Sequence, residues 1–544
     1  MTARWWRAAV FAGLCATAAV VFGPHVAHGA LVADDWAIAD FYRHGDPGGY
    51  WGSVDAVRNI VGSRPLMWLA QPLPYAIFGA VDPAPYLLTV LAVGVLTAWC
   101  AFLFLEEAGL PRGHAAFAAL LFLLWPWQSS LRLWPIAGWN EASFALMLLG
   151  GWVALRGLRR RGRAAVAWHA VAVALFVAAV LLYETATPMV LLSGLFYARV
   201  AGWPRAAVRW LVDVLAVVAA LAWAAAATKR PHGTLLDSLD WLGRFVREAV
   251  SLTARSLVPL PLPQGIRYGV AALAAGVVAA AIVAVRRAEP ASPAAQELRL
   301  WLRTATLAAA CAVAGWTLML VSGYFFPLSR GIDDRGNVGA ALPIVVLVWS
   351  IVMLAVVLLR ARSATQSRAV AAMAVAGLAL ACAYGIGSRQ RANTWDRAAR
   401  DTEHLLAAVA RLPPLRPGTT VYTFGAAGEV SPGVPIFQHL YDLNPAVRVT
   451  RGDPSLRGYP VLAGARIACG PRRLDTLLPG SGGRLDGPAD STPAGKPYWG
   501  PDPGASYGRV AFVDLRTRAG VVVDSRRQCA SAVKRFQPGP LRLE

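Results

Sequence analysis

Charged residues are scarce in this 544-residue chain, at 15% of the total, and lysine is nearly missing, confined to Lys229, Lys496 and Lys534. With 56% hydrophobic residues and a mean hydropathy of +0.47, so little charge excludes an ordinary soluble globular protein. No CxxC, HExxH, Walker loop or dinucleotide fingerprint falls in a supporting context, so the common zinc, phosphate-loop and nicotinamide chemistries have no local signature. Cysteine is sparse, and Cys15, Cys100, Cys311 and Cys382 fall in apolar runs, where a thiol behaves as a small inert hydrophobe. The lysine shortage beside abundant Ala, Arg, Gly and Pro is a compositional bias that says nothing about mechanism.

Arginine is what the chain has, giving a formal charge of +21 and a pI near 10.5. Its arginines gather in short clusters between apolar runs and line no single face, which argues against a nucleic-acid partner. Such clustering is the positive-inside pattern of a multi-pass membrane protein. Arg4 and Arg7 precede an apolar run from Ala8 to about Val26, long enough to cross a bilayer. A cleaved signal peptide is the rival reading. Cleavage after Ala30 would put His28 where a small residue is wanted, so an uncleaved span with a cytoplasmic N-terminus is expected.

Further apolar runs fall at about Pro85–Leu105, His114–Pro126, Trp139–Leu155, Ala164–Leu182, Thr187–Ala201, Val208–Thr228, Ile266–Val285, Thr304–Phe325, Val338–Leu358 and Ala369–Ile386. The segment Ser63–Ala80 is apolar but broken by Pro65, Pro72 and Pro74, and is expected to lie at the interface without crossing. Counting it out sends every dense arginine cluster to the cytoplasm and gives about eleven spans. The expected fold is therefore mainly α: a polytopic helical protein of the plasma (inner) membrane over residues 1–387. Residues 388–544 are expected to form an extracytoplasmic soluble domain, α/β or mostly β. A helix near Trp395–Leu412 and strands at Thr419–Phe424, Val461–Ala468, Arg509–Leu515 and Val521–Val523 are its expected elements. Cys469 and Cys529 are its two cysteines, and an oxidising exterior would let them pair.

This topology collects several polar features on the outer face. LVADDWAIADFYR (Leu31 to Arg43) carries adjacent aspartates, Asp34 and Asp35, just beyond the first span. One reading is a wet loop; the other is a site at the membrane surface where one carboxylate is a general base. Neighbours on a helix diverge by about 100°, so the two cannot address one atom in the same way. Their hard oxygens would also suit a divalent cation, magnesium or manganese. Glu184 ends an apolar run, either at the wet interface or as a functional carboxylate, and Tyr183 beside it is a belt residue or a stacking surface. RLWPIAGWNE (Arg132 to Glu141) and the loop Lys229–Gln264 emerge on the same side. FPLSRGIDDRGN, from Phe326, adds Arg330, Asp333, Asp334, Arg335 and Asn337. Its arginines either neutralise the aspartates in water or present planar forks to a phosphate. Arg64 and His44 are weaker candidates of the same kind.

Aspartates in the first outward loop, a broken amphipathic segment after them, about eleven spans and an outward C-terminal domain resemble the integral-membrane glycosyltransferases of the C-type fold. Protein-mannosyltransferases and bacterial O-antigen glucosyltransferase-like proteins are the similar groups. The resemblance covers about residues 1–387. It implies an inverting transferase that takes a sugar from a polyprenyl-phosphate donor, with Asp34 as base and Asp35 as its partner. In that scheme Arg330 or Arg335 meets the departing phosphate, and Tyr183 and Glu184 hold sugar hydroxyls. The acceptor would be an envelope glycan, lipid or protein. No counterpart of the tryptophan- and aspartate-containing acceptor motif of oligosaccharyltransferases is present, which argues against asparagine glycosylation. Two other classes stay open: a lipid-linked-sugar flippase, which would place charges deep within spans of two repeated halves, and a non-catalytic envelope assembly scaffold.

Overall fold

Apolar runs in a membrane become helices because only a helix satisfies every backbone polar group within its own segment. In the computed structural model, α1 (Ala3–His28) leads into four short helices, α2 (Asp34–His44), α3 (Gly49–Ile60), α4 (Pro65–Ala70) and α5 (Leu73–Phe78). Then come α6 (Ala84–Glu107), α7 (Arg112–Leu124), the single turn α8 (Ser130–Leu133), α9 (Gly138–Leu158) and α10 (Gly162–Leu182). A 3-10 stretch, Glu184–Leu192, precedes α11 (Ser193–Ala201), α12 (Trp203–Ala226), α13 (Leu239–Leu257) and α14 (Gln264–Arg287). The last helices of the bundle are α15 (Pro293–Ser322), α16 (Val338–Arg362) and α17 (Gln366–Ala410). The structure describes residues 3–79, 82–226, 239–259, 263–289, 291–322, 327–362, 366–425, 428–437, 440–461, 466–477 and 505–536.

Nine of the described helices are long and apolar enough to cross a membrane, with α6, α9 and α16 the most buried and α14 the least. The other two of the eleven expected spans are short. Pro126 follows the end of α7, holding it to 13 residues, and Pro188 lies within the irregular 3-10 stretch before α11. In the proline-broken segment, α4 and α5 have six residues each, too few to cross, and turn Leu69, Leu73, Ile77 and Phe78 outward. Ala80, at its end, lies outside the described residues.

Helix α17 has 45 residues and so is about 67 Å long, over twice the apolar thickness of a bilayer of about 30 Å. It passes without a break through the compositional boundary at residue 387 and becomes the stem of the C-terminal region. There β1 (Thr420–Phe424), the hairpin β2 (Glu429–Ser431) and β3 (Val434–Pro435), α18 (Leu440–Arg451) and β4 (Arg457–Pro460) are followed by β5 (Arg466–Cys469), β6 (Arg473–Leu477) and β7 (Ala505–Ser506). The chain closes with β8 (Val510–Asp514), β9 (Ala519–Val522) and α19 (Arg526–Phe536). The main sheet has the order β4-β1-β8-β9, with β4, β1 and β8 parallel and β9 antiparallel. β1 and β8 are buried along their whole length, as parallel strands covered on both faces require. Within the expected strand Val461–Ala468, residues 462–465 lie outside the described residues; β4 and β5 flank them. Cys469 of β5 is joined to Cys529 of α19 by a disulfide.

This domain sits on the end of the bundle that carries the aspartates. Arg448 of α18 pairs with Asp40 of α2 at 3.2 Å, and Arg43 donates to the Val449 carbonyl at 2.8 Å. At a second contact, the Ile332 N–H donates to the Gly433 carbonyl at 2.7 Å. Gly331, with φ 71°, packs so tightly there that a Cβ would lie 2.4 Å from the Gly433 backbone.

Candidate active site

Helix α2 begins with a tight turn. The Asp35 N–H donates to the Val32 carbonyl at 3.1 Å, and Ala33 takes φ 49° and ψ −117°. This is the type II′ corner, which ordinarily belongs to glycine. Groups from distant parts of the chain hold it. The Asp35 carboxylate turns inward and is buried, accepting the Val32 N–H at 2.9 Å and the Ile136 N–H at 3.0 Å. Trp134 Nε1–H donates to the Val32 carbonyl, and the Tyr75 hydroxyl to the Asp35 carbonyl, both at 3.0 Å. Both carboxylate oxygens of Asp35 are thus engaged by backbone. Burial pushes its carboxyl well above the usual range, against the pull of those two N–H groups.

Asp34 is half-buried, and no described residue hydrogen-bonds to its carboxylate. Burial pushes its pKa up while the positive charge of Arg335 holds it down. The Arg335 guanidinium lies 5.0 Å from the Trp134 ring centroid, so one tryptophan both braces the aspartate turn and packs on the arginine whose charge reaches Asp34. The structure therefore gives the neighbouring aspartates different surroundings: Asp35 is tied into the fold and Asp34 is open.

The remaining candidates fall into two groups. Arg64 meets Glu184 through two bonds, Nη2 to Oε1 at 2.5 Å and Nε to Oε2 at 2.8 Å, with its guanidinium 3.9 Å from the Tyr183 ring centroid. Three residues expected to bind substrate separately thus complete one another. His44 bonds back to Asp40 at 2.9 Å. Around the loop before α16, Asn337 is buried, donating to the Trp127 and Leu328 carbonyls at 2.8 and 2.6 Å. It accepts from Trp316 Nε1 at 3.3 Å, so its role is to shape the loop. Asp334 does the same, taking the backbone N–H and hydroxyl of both Ser129 and Ser130.

Arg330, exposed on that loop, has company that sequence reasoning missed. Arg255 of α13 donates to Ser329 at 2.6 Å and lies within electrostatic reach of Arg267 and Arg330; Arg391 of α17 lies within reach of Arg255, Arg330 and Asp334. Burial and then the repulsion of Arg267 and Arg330 lower the pKa of Arg255. Four arginines from three helices and a loop, beside an aspartate already hydrogen-bonded four times, form an anion-attracting group. The available signal was the amphipathic pattern within the loop Lys229–Gln264, of which Leu239–Leu257 form α13.

Two further features bear on the site. Arg132 and Glu141 of the RLWPIAGWNE stretch are completely buried and paired at 2.8 Å, so they face the bundle interior and not the outer surface. Gly94 of α6 leaves them room: a Cβ there would lie 3.2 Å from Arg132 Nε and 3.3 Å from Glu141 Oε2. No group of three or more His, Cys, Asp or Glu side chains stands together among the described residues. Each Asp35 oxygen already accepts one N–H group, so Asp34 is the less engaged carboxylate of the pair.

No family model matches the chain and no curated protein matches it. Among solved structures it is similar to the archaeal oligosaccharyltransferase AglB from Archaeoglobus fulgidus in complex with an inhibitory peptide and a dolichol-phosphate. That likeness has 12% identity, 85% of this chain, 65% of that one and a TM-score of 0.43. A second likeness is to ArnT from Cupriavidus metallidurans bound to undecaprenyl phosphate, at 16% identity, 82% and 85% coverage and a TM-score of 0.34. Likenesses this loose carry no argument about the reaction, which rests on this chain's own residues.

Proposed function

We propose that the chain is a membrane glycosyltransferase that moves a sugar from a polyprenyl-phosphate donor to a hydroxyl of a glycan, lipid or protein acceptor at the outer face. The observation that supports it most is the half-buried Asp34 within electrostatic reach of Arg335, with the arginine group around Arg330 on the same loop. A single displacement needs a base and a place for the departing phosphate. Asp34 accepts the proton of the acceptor hydroxyl as its oxygen attacks the anomeric carbon. The bond from that carbon to the phosphate oxygen breaks, and the polyprenyl phosphate leaves with the electron pair toward the arginines. Its raised pKa makes Asp34 a better proton acceptor than an ordinary surface aspartate. Asp35 is a positioning residue, and the exposed apolar side chains of α4 and α5 admit the lipid tail at the interface.

The test is transfer from a radiolabelled pool of polyprenyl-phosphate sugars in membranes carrying the wild type or Asp34→Asn at matched expression. Loss of transfer by about a hundredfold or more, with normal insertion, is the expected result for a missing general base. Undiminished transfer by the variant would sink the assignment.

A further inference from the structure

We infer that the bundle holds an anionic phospholipid of the membrane leaflet opposite the aspartates, with one hydrocarbon chain inside the protein and the head group at Arg199. Between α6, α9 and α10 on one side and α15 and α16 on the other lies a narrow cleft with a cavity volume of about 120 Å³, open along part of its length to the outside. Met147, Met189, Phe196 and Leu307 are among its apolar walls. On α15 it is lined by Leu300, Thr304, Leu307, Ala308 and Cys311, one face of the helix over 11 residues, or about 16 Å. That is close to the hydrocarbon depth of one leaflet, about half of 30 Å.

The polar side chains in the walls already have partners: Ser193 bonds to the Val190 carbonyl, Thr304 to the Leu300 carbonyl, and Tyr197 to Asp213 at 2.7 Å. The interior therefore suits hydrocarbon and offers nothing to a sugar. Arg199 is the one charged residue in the lining. It stands at the end where α6 gives way to Gly109 and Leu110. There Glu106 is already taken by Arg7 and Arg112, and Glu107 by Arg156 and Arg159. Arg199 is exposed and pairs with no carboxylate among the described residues, which leaves it for a lipid phosphate.

The test uses the full chain in phosphatidylcholine nanodiscs doped with a phosphatidylglycerol, or in parallel a phosphatidylcholine, bearing a diazirine midway along one acyl chain. After irradiation, adducts are mapped by mass spectrometry. Adducts at Met147, Met189, Phe196 or Leu307 are expected, about fivefold more from the anionic probe, the preference one cation near a membrane surface confers. Arg199→Gln should erase that preference, and Ala308→Trp should clear the cleft while sparing adducts at the outward-facing Leu195 and Val313. Equal labelling by both head groups, adducts confined to Leu195 and Val313, or displacement of the probe by polyprenyl phosphate would each overturn the inference.

Discussion

Asp35→Asn is the most informative single change, because it separates a residue that acts on substrate from one that aims its neighbour. The Asp35 carboxylate receives two backbone N–H groups, from Val32 and Ile136. An asparagine amide has one oxygen, so one of those N–H groups would be left buried opposite an NH2. The cost is about 1–3 kcal/mol, toward the lower end because a buried charge is removed at the same time. The strain stored at Ala33, of order 1–3 kcal/mol, is comparable. A turn deprived of one restraint therefore relaxes, and Asp34 swings away from Arg335. At tenfold per 1.4 kcal/mol, transfer should fall by about tenfold to a hundredfold. Ala33→Gly removes the strain, since glycine adopts that corner freely, so Ala33→Gly combined with Asp35→Asn should regain most of the lost transfer. The assays are initial rates of labelled-sugar transfer and thermal unfolding of the purified protein. If Asp35→Asn is as stable and active as wild type, the positioning role is refuted. If glycine at 33 rescues stability but not transfer, Asp35 takes part in the chemistry itself.

Four other expectations follow from the structure. Asp34 works as the carboxylate and its pKa is raised, so transfer should fall on acidification with a midpoint above the ordinary 3.8. Arg335→Gln, which removes the charge opposing that shift, should move the midpoint of the pH profile to still higher pH. Glu141→Gln strands the Arg132 charge in the bundle and should destabilise by about 3–5 kcal/mol. Arg132→Met with Glu141→Leu should cost less than either change alone in thermal melts, and a double change worse than both would contradict this. Replacing Cys469 and Cys529 by serine opens a link between residues 60 apart and should cost the C-terminal region about 4 kcal/mol, read as faster proteolysis there.

Apolar length and arginine clustering are strong local signals, and the helical bundle was legible from them, as strands β1 and β8 were from their apolar runs. The aspartate turn was legible as a place but not as an arrangement. Nothing near Asp35 in the chain announces that Ile136 and Trp134 will meet it, because those contacts span about a hundred residues. The same limit hid the pairing of Arg64 with Glu184, 120 positions away, and the gathering of Arg255, Arg267 and Arg391 around Arg330. Arg132 and Glu141 misled for a different reason. Charged residues read as exposed until a partner nine positions away on another helix neutralises them inside the bundle.

The unbroken α17 makes the C-terminal region part of a rotary gauge. Each residue added to a helix turns everything beyond it by about 100° and advances it by about 1.5 Å. A single insertion between Gly387, packed on Pro126, and Trp395 would therefore swing the sheet around its stem and tear α18 from α2, where Arg448 holds Asp40. Helix length here is an angular coordinate. Sets that return the helix close to a whole number of turns, such as seven or eleven residues, should restore the facing of the sheet but still displace it by about 10 to 16 Å, so the contact with α2 tolerates neither kind of length change.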